Sequence, residues 1–447
     1  MAVPSLQDGI DQAGSPVALL WKPGSAPWTP EVIEPEYAGW RQEQAAWHDG
    51  VSISDLSHHM SDTFIAGRDA TRLLAAVSAN NYESFAVGQA KQFIPVAEDG
   101  NILTDGILLR TGEHQYILSG VSPAQEWVKY HAEKGGWDVA CETDPPSGWR
   151  GGADPRLFRF QVQGPLANDL VARAFGPLPQ AKFFHAVPVT LAGREFRALR
   201  HNMAAQAGYE FIGQWPDGAA VKETLLTAGE PLGLVHVGAL AYPTSGVESG
   251  WIAAPVPAVY TDPRLADYRR HLSLYTFEGQ NPLSGSYYSD RIEDYYVSPW
   301  ELGYGRSISL GHDFIGRDAL LAARDSVQRA KVTLVFDPAD AALAIAPGQD
   351  LALSNGRYRV ESAAAAGGEL AGMAYHTASL DPLGAVLALA VLDKRYADPG
   401  TQVTVSWGEH PGPGTAPDAD LGFPRIRATV APAPYNEYAR TTYRVAG

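Results

Sequence analysis

The chain has 447 residues, 45% of them hydrophobic and 19% charged, an ordinary globular composition with length for about two to four domains. The net charge of −16 argues against a nucleic-acid groove or an anionic lipid surface, since both want clustered Lys and Arg. The one cysteine, Cys141, excludes a disulfide framework and a Cys-rich metal site and fits a reducing cytoplasm.

Residues 1–15 carry Asp8 and Asp11 and lack a basic start followed by an apolar run, so they do not read as a signal peptide. No apolar segment is long enough to span a membrane. Residues 16–36, rich in Pro and Trp (Trp21, Trp28), read as an extended arm lying on the body. A helix is expected over 37–49 and one strand over 51–66, with His58-His59 inside it. Gly67-Arg68-Asp69 opens a helix with an apolar face at Leu73, Leu74 and Val77. Three strands follow over 91–96, 102–110 and 115–119, with Asp99-Gly100 and Thr111-Gly112 as turns. Ser122-Pro123-Ala124-Gln125 predicts a capped helix start and Gly135-Gly136 its stop.

A Pro/Gly-rich stretch at 143–154 marks a boundary. Beyond it come a strand (158–162), a helix (165–175), a hairpin turning at Ala192-Gly193 and a helix (219–228). This alternation predicts α+β domains with antiparallel sheets. From 331 onward short strands dominate, at 331–336, 386–392, 402–407 and 425–430, which predicts a small β domain.

Familiar catalytic motifs are missing: no glycine-rich dinucleotide loop, phosphate loop, nucleophile elbow or zinc-binding His-Glu-x-x-His. His58 and His59, adjacent on a strand, would point to opposite faces and make a poor metal pair. The richest stretch is Ala241-Tyr-Pro-Thr-Ser-Gly-Val-Glu-Ser-Gly-Trp251. Its Pro243, Gly246 and Gly250 make it a shaped turn rather than the interior of a helix or strand. Tyr242, Glu248 and Trp251 suit a flat heteroaromatic ligand: a carboxylate for ring N–H groups, an indole face and a phenol to handle a proton. A loop whose rings plug the core would show the same residues.

Several segments, in order, resemble the folate-dependent aminomethyltransferase (glycine-cleavage T-protein) family. They are Gln163-Gly164-Pro165, Gly208-Tyr209-Glu210-Phe211, Val247-Glu248-Ser249-Gly250, Pro299-Trp300-Glu301-Leu302-Gly303-Tyr304 and Phe314-Ile315-Gly316-Arg317-Asp318-Ala319-Leu320. His58-His59-Met60, Ala90-Lys91-Gln92, Arg200-His201, Ala241-Tyr242-Pro243, Glu248-Ser249-Gly250-Trp251, the run 292–297 and Trp407-Gly408-Glu409 are similar to its tetrahydrofolate-dependent aromatic O-demethylase branch, the vanillate and 3-O-methylgallate type. The resemblance implies a three-domain ring around a folate channel, with a small C-terminal β-barrel-like domain. The implied division is 1–66 with 150–255 (folate-binding), 67–149 with 256–325, and 330–447. It implies a cytoplasmic methyltransferase that moves methyl from an aryl methyl ether to N5 of tetrahydrofolate, with a small methoxyarene as its partner.

Two departures from the pattern bear on substrate. Thr104-Asp105 stands where the glycine-cleavage enzymes carry an Asp-Asp pair, which speaks against aminomethyl transfer. Val121 replaces an arginine that holds the aromatic carboxylate in vanillate-type enzymes, and Leu56 replaces a glutamine. By the resemblance, Tyr242 and His59 are the catalytic candidates, Glu248, Trp251 and Glu210 the folate ligands, and Val121, Leu56 and His58 the substrate contacts, with no metal. A folate-dependent demethylase of a sulfonium or methylated amine, or a non-catalytic folate-binding relative, would share this scaffold.

Overall fold

The computed structural model describes residues 3–27, 29–30, 32–201, 203, 206–345, 351–363 and 367–442. Trp28, in the expected arm, lies outside them. Three sheets organise the described residues.

The first sheet has six strands in the order Val235–Val237, Ser52–Asp55, Leu157–Gln163, Gly208–Gln214, Arg194–Leu199, Ala186–Leu191. Only the pairing of Val235–Val237 with Ser52–Asp55 is parallel. The strand Leu157–Gln163 is buried along its whole length. Its Phe158, Phe160 and Val162 join a core with Leu170, Val221 and Leu225 of the helices Ala167–Phe175 and Trp215–Gly229. Burial of each such side chain contributes about 1.5–3 kcal/mol. Because side chains alternate along a strand, Arg159, Gln161 and Gln163 go to the other face. There they meet the interior of the molecule instead of water. Gly164 then turns the chain at φ +128°, where a Cβ would lie 2.4 Å from the Gly50 carbonyl oxygen. The outer hairpin turns at Ala192 (φ 49°) and Gly193 (φ 80°), the left-handed pair of a two-residue turn.

The second sheet is antiparallel, in the order Ala90–Phe93, Gly106–Gly112, Gln115–Gly120, Ser61–Ala66, Ala140–Asp144. The expected single strand over 51–66 is therefore two strands in two sheets. Between them Asp55 Oδ1 accepts from the Ser57 N–H (3.1 Å) and turns the chain. The expected serine cap at Ser122 is also replaced. Helix Ser122–Lys134 has no cap from the residue preceding it. The Ala124 N–H instead donates to Thr104 Oγ1 at 3.1 Å, across from another segment. Gln125, expected in the capping box, donates to the Ser61 and Gly120 carbonyls.

The third unit is a closed barrel. Leu370–Leu380, Tyr358–Ser362, Gln402–Ser406, Arg425–Ala431, Arg329–Phe336 and Ala385–Asp393 pair in that order, and the last pairs back to the first. Closure leaves no free edge among these six strands. The arm is not wholly extended, since Pro16–Leu20 is a short helix capped by Ser15. No helix of the described residues is long and apolar enough to cross a membrane.

Candidate functional site

The segment 241–251 lies where all three sheets meet. Its middle, Thr244–Glu248, is a buried helical turn and not the irregular loop its glycines suggest. Local bonds shape it: Thr244 Oγ1 donates to the Ala241 carbonyl (2.6 Å), Ser245 Oγ to the Tyr242 carbonyl (2.7 Å), and the Trp251 N–H to the Gly246 carbonyl (2.9 Å). Gly250, at φ +74°, packs on Pro434, where a Cβ would sit 2.9 Å from the Pro434 Cα. The barrel holds the segment too, through Lys331 Nζ on the Gly250 carbonyl (2.6 Å).

Tyr242 and His59 come together here. Their rings meet edge to face, with centroids 5.0 Å apart and planes at 85°. Burial pushes the His59 imidazole down to about 4, helped by the charge of Arg159, so the ring is neutral at pH 7. Burial and the Glu210 carboxylate hold the Tyr242 phenol far above its usual range, so it stays protonated. Leu56 packs in the same apolar cluster as Tyr242. All three line a narrow cleft, walled on one side by Pro30 and Ile33 of the arm, with a cavity volume of about 10 Å³, room for a single water.

Beneath the pair lies a buried charge network. Arg159 donates to Glu210, to Asp62 Oδ1 (2.9 Å) and to Ser119 Oγ (2.9 Å), joining the first sheet to the second. Beside it stands a polar row without partners. The register places Ser54 and Glu210 on either side of Gln161. Both amide atoms of Gln161 and the Ser54 hydroxyl are buried with no hydrogen bond, as are both ring nitrogens of His201. Burial holds His201 below the usual imidazole range, and therefore neutral. Orphaned buried polar groups are rare, because each forfeits hydration without recompense.

Glu248 is the opposite case. It is fully buried, with His48 Nε2 at 3.0 Å from Oε2 and Asn436 Nδ2 at 2.9 Å from Oε1. Burial of His48 opposes its charge, but the bond and charge of Glu248 outweigh it and raise the imidazole. Trp251 Nε1 donates to Asp105 (3.0 and 3.2 Å), which also accepts from Tyr304 Oη (2.8 Å) and Gln92 Nε2 (2.5 Å). Burial raises the Asp105 carboxyl while these three donors pull the other way.

His58 turns away from Tyr242, to Ser147 Oγ (2.7 Å) and edge-on to Trp215. Val121 is half-buried at the corner after Gly120, two residues from Ser119 of the charge network. Sequence reasoning passed over Arg159, Gln161, His48 and Asn436. A readable signal existed for the first two: Arg159, Gln161 and Gln163 alternate with Phe158, Phe160 and Val162. Nothing local marks His48 or Asn436, which reach Glu248 from about two hundred positions away. Among the described residues no group of three or more His, Cys, Asp or Glu is gathered as a metal would need.

The chain belongs to the GCVT family: the model of the GCVT N-terminal domain matches residues 25–255. The chain is 34% identical to syringate O-demethylase of Sphingobium sp. (strain NBRC 103272 / SYK-6), covering 98% of this chain and 97% of that one. It is 29% identical to sesamin methylene transferase of Sinomonas sp. (strain No.22), covering 90% and 89%. The fold matches that of the glycine cleavage system aminomethyltransferase T from Bartonella henselae, with TM-score 0.64, 15% identity and coverage of 91% and 92%.

Proposed function

We propose that the protein is a tetrahydrofolate-dependent O-demethylase that takes the methyl group of an aryl methyl ether and leaves a phenol. The observation that carries this reading is the Tyr242–His59 pair: a protonated phenol and a neutral imidazole, edge to face in an apolar cleft. The 34% identity, over nearly the whole of both chains, to an enzyme named for demethylating syringate supports it.

An aryl ether resists cleavage because phenolate is a poor leaving group. Help must come as a hydrogen bond or proton where negative charge grows on oxygen. Tyr242 is suited to supply it, since its environment disfavours early ionisation. His59, neutral at working pH, orients the phenol or a ring substituent of the substrate. Leu56 and Val121 shape the aryl end. His58, bonded to Ser147, supports the turn that carries His59.

The unpartnered polar row fits a flat heteroaromatic whose edge alternates donors and acceptors. Gln161 offers one of each; Glu210, held by Arg159, stands beside it in the register, and His201 lies within the field of Glu210. Tetrahydrofolate supplies the nucleophilic nitrogen that accepts the methyl group. In this reading Gln161, Glu210 and His201 hold its pterin, and Trp251 covers the ring. Glu248, bound to His48 and Asn436, fixes the turn that presents Trp251. The C–O bond of the ether is exchanged for a C–N bond and a proton passes to the aryl oxygen, so no oxidant or reductant is consumed.

The test is a turnover assay on purified protein with methoxyphenols and methoxybenzoates. Phenol and 5-methyltetrahydrofolate should appear in equal amounts, and only with tetrahydrofolate present. No methyl transfer across the panel would overturn the reading, and transfer from a sulfonium compound alone would redirect it.

A further inference from the structure

The outer face of the barrel, against the body of the molecule, holds a buried charge without a counter-ion. Arg357 is 2% exposed. Its terminal nitrogens donate to the carbonyls of Asn355 and, at 3.2 Å, of Ala254, while its Nε has no partner. Burial works against its charge, and the groups that favour that charge are the phenols of Tyr375 and Tyr295. Burial keeps both phenols protonated at pH 7, so neither is an anion there. Arg159, equally buried, is by contrast bound by two carboxylates. The strands gather further unpartnered groups beside Arg357. The cross-strand pair Tyr358 and Ala374 faces the barrel core. One step along the antiparallel ladder sets Arg357 against Tyr375 on the outer face, with the guanidinium carbon 5.2 Å from the ring centroid. The register then shifts between Ala374 and Thr377. Tyr375 before the bulge and Ala378 after it pack in the same outer core, so the bulge turns His376 to the face of Tyr375. Tyr375 Oη and His376 Nε2 are buried without partners, as Arg357 Nε is.

We propose that this face binds a halide-sized monovalent anion as the counter-ion of Arg357. None of its residues is among those assigned to methyl transfer. Arg357 Nε–H and the Tyr375 hydroxyl are its two donors. His376 Nδ1 meets Asn355 Oδ1 at 2.7 Å. A half-turn of that amide puts its NH2 on Nδ1 and the ring hydrogen on Nε2, which makes a third donor. A lone charge out of water is costly, and an anion repays that cost by Coulomb attraction in a medium of low dielectric. A water would satisfy the hydrogen bonds and leave the charge uncompensated. The backbone of Arg357 is itself a junction: its N–H donates to the Ser284 carbonyl (2.7 Å) and its carbonyl accepts from the Tyr287 N–H (2.9 Å). An anion held here therefore stabilises the docking of the barrel on the body, and it binds the folded chain alone.

The experiment follows thermal unfolding of the full chain as sodium gluconate is replaced stepwise by sodium chloride at constant ionic strength. The wild-type midpoint should rise with chloride and saturate, as mass action on a single site requires. Arg357→Met should show no saturable rise. Tyr375→Phe should keep the rise but need about tenfold more chloride for half of it, the loss of one hydrogen bond to a charged group. In crystals soaked in sodium bromide, an anomalous peak should stand within hydrogen-bond reach of Arg357 Nε. A wild-type midpoint with no saturable chloride dependence would mean that water fills the site and would overturn the proposal. So would the same dependence in a folded Arg357→Met. If Arg357→Met does not fold, an unchanged half-effect in Tyr375→Phe together with no bromide peak overturns it.

Discussion

Two buried polar regions belong to this part of the molecule, and they are built on opposite principles. Around Glu248 both carboxylate oxygens are engaged, by His48 and Asn436. Along the row of Ser54, Gln161 and His201, hydroxyl, amide and imidazole atoms are buried without partners. A group satisfied by its own protein stabilises the fold and has little left to offer a ligand. A group left unsatisfied weakens the fold and gains when a ligand arrives. Chemical type alone would rank Glu248 first as a ligand contact, whereas the hydrogen-bond partners rank Gln161 first.

The comparison can be broken by mutation. The largest expected effect is at the reacting oxygen. Tyr242→Phe should lower kcat by about 10²–10³-fold with little change in folate affinity, as measured by single-turnover kinetics and calorimetry. A loss confined to KM would move Tyr242 out of the chemistry. Gln161→Leu should weaken tetrahydrofolate binding by about 10–100-fold while leaving the apo protein as stable as wild type or more so. Loss of both properties would mean that Gln161 is structural. Glu248→Gln should do the reverse, lowering the urea midpoint of the apo protein by the equivalent of about 1–3 kcal/mol.

Smaller effects come from pH. His48 has its folded value raised, so its pairing with Glu248 stabilises fully below its unfolded value near 6.5. That contribution fades as pH rises through the folded value. Glu278, fully buried outside the site, is raised to about 7 by burial. Its contribution is likewise complete below about 4.5 and lost as pH rises to 7. His59 and His376, depressed to about 4 and about 3, act the other way, losing stability as pH falls below 6.5. Glu278→Gln should therefore stabilise the protein at pH 8, by an amount on the order of 1–2 kcal/mol, and hardly at pH 4.5. A denaturation series over pH 4.5–8 that shows no such difference would sink this assignment.

Much of this was legible in the chain. Periodicity and turn residues located the hairpin at Ala192-Gly193, the strand around Phe160 and the final β unit. Ordered motifs pointed to the family, and the loop 241–251 was picked out by its chemistry. The strand expected over 51–66 failed because one apolar alternation served two sheets, and only a single Asp55 turn separates them. The serine cap at Ser122 failed because Thr104, distant in sequence, reached the helix end first.

The sequence by itself determined the elements, the family and the residue types a methyl-transfer site would need. Those depend on local propensity and on motifs a few residues long. The tertiary structure decided which groups are satisfied and which are not. It paired Glu248 with His48 and Asn436, bound Arg159 to Glu210 and Asp62, and left Ser54, Gln161 and His201 without partners. Hydrogen-bond satisfaction depends on positions to within a fraction of an ångström between segments far apart in the chain, and local sequence carries no record of that.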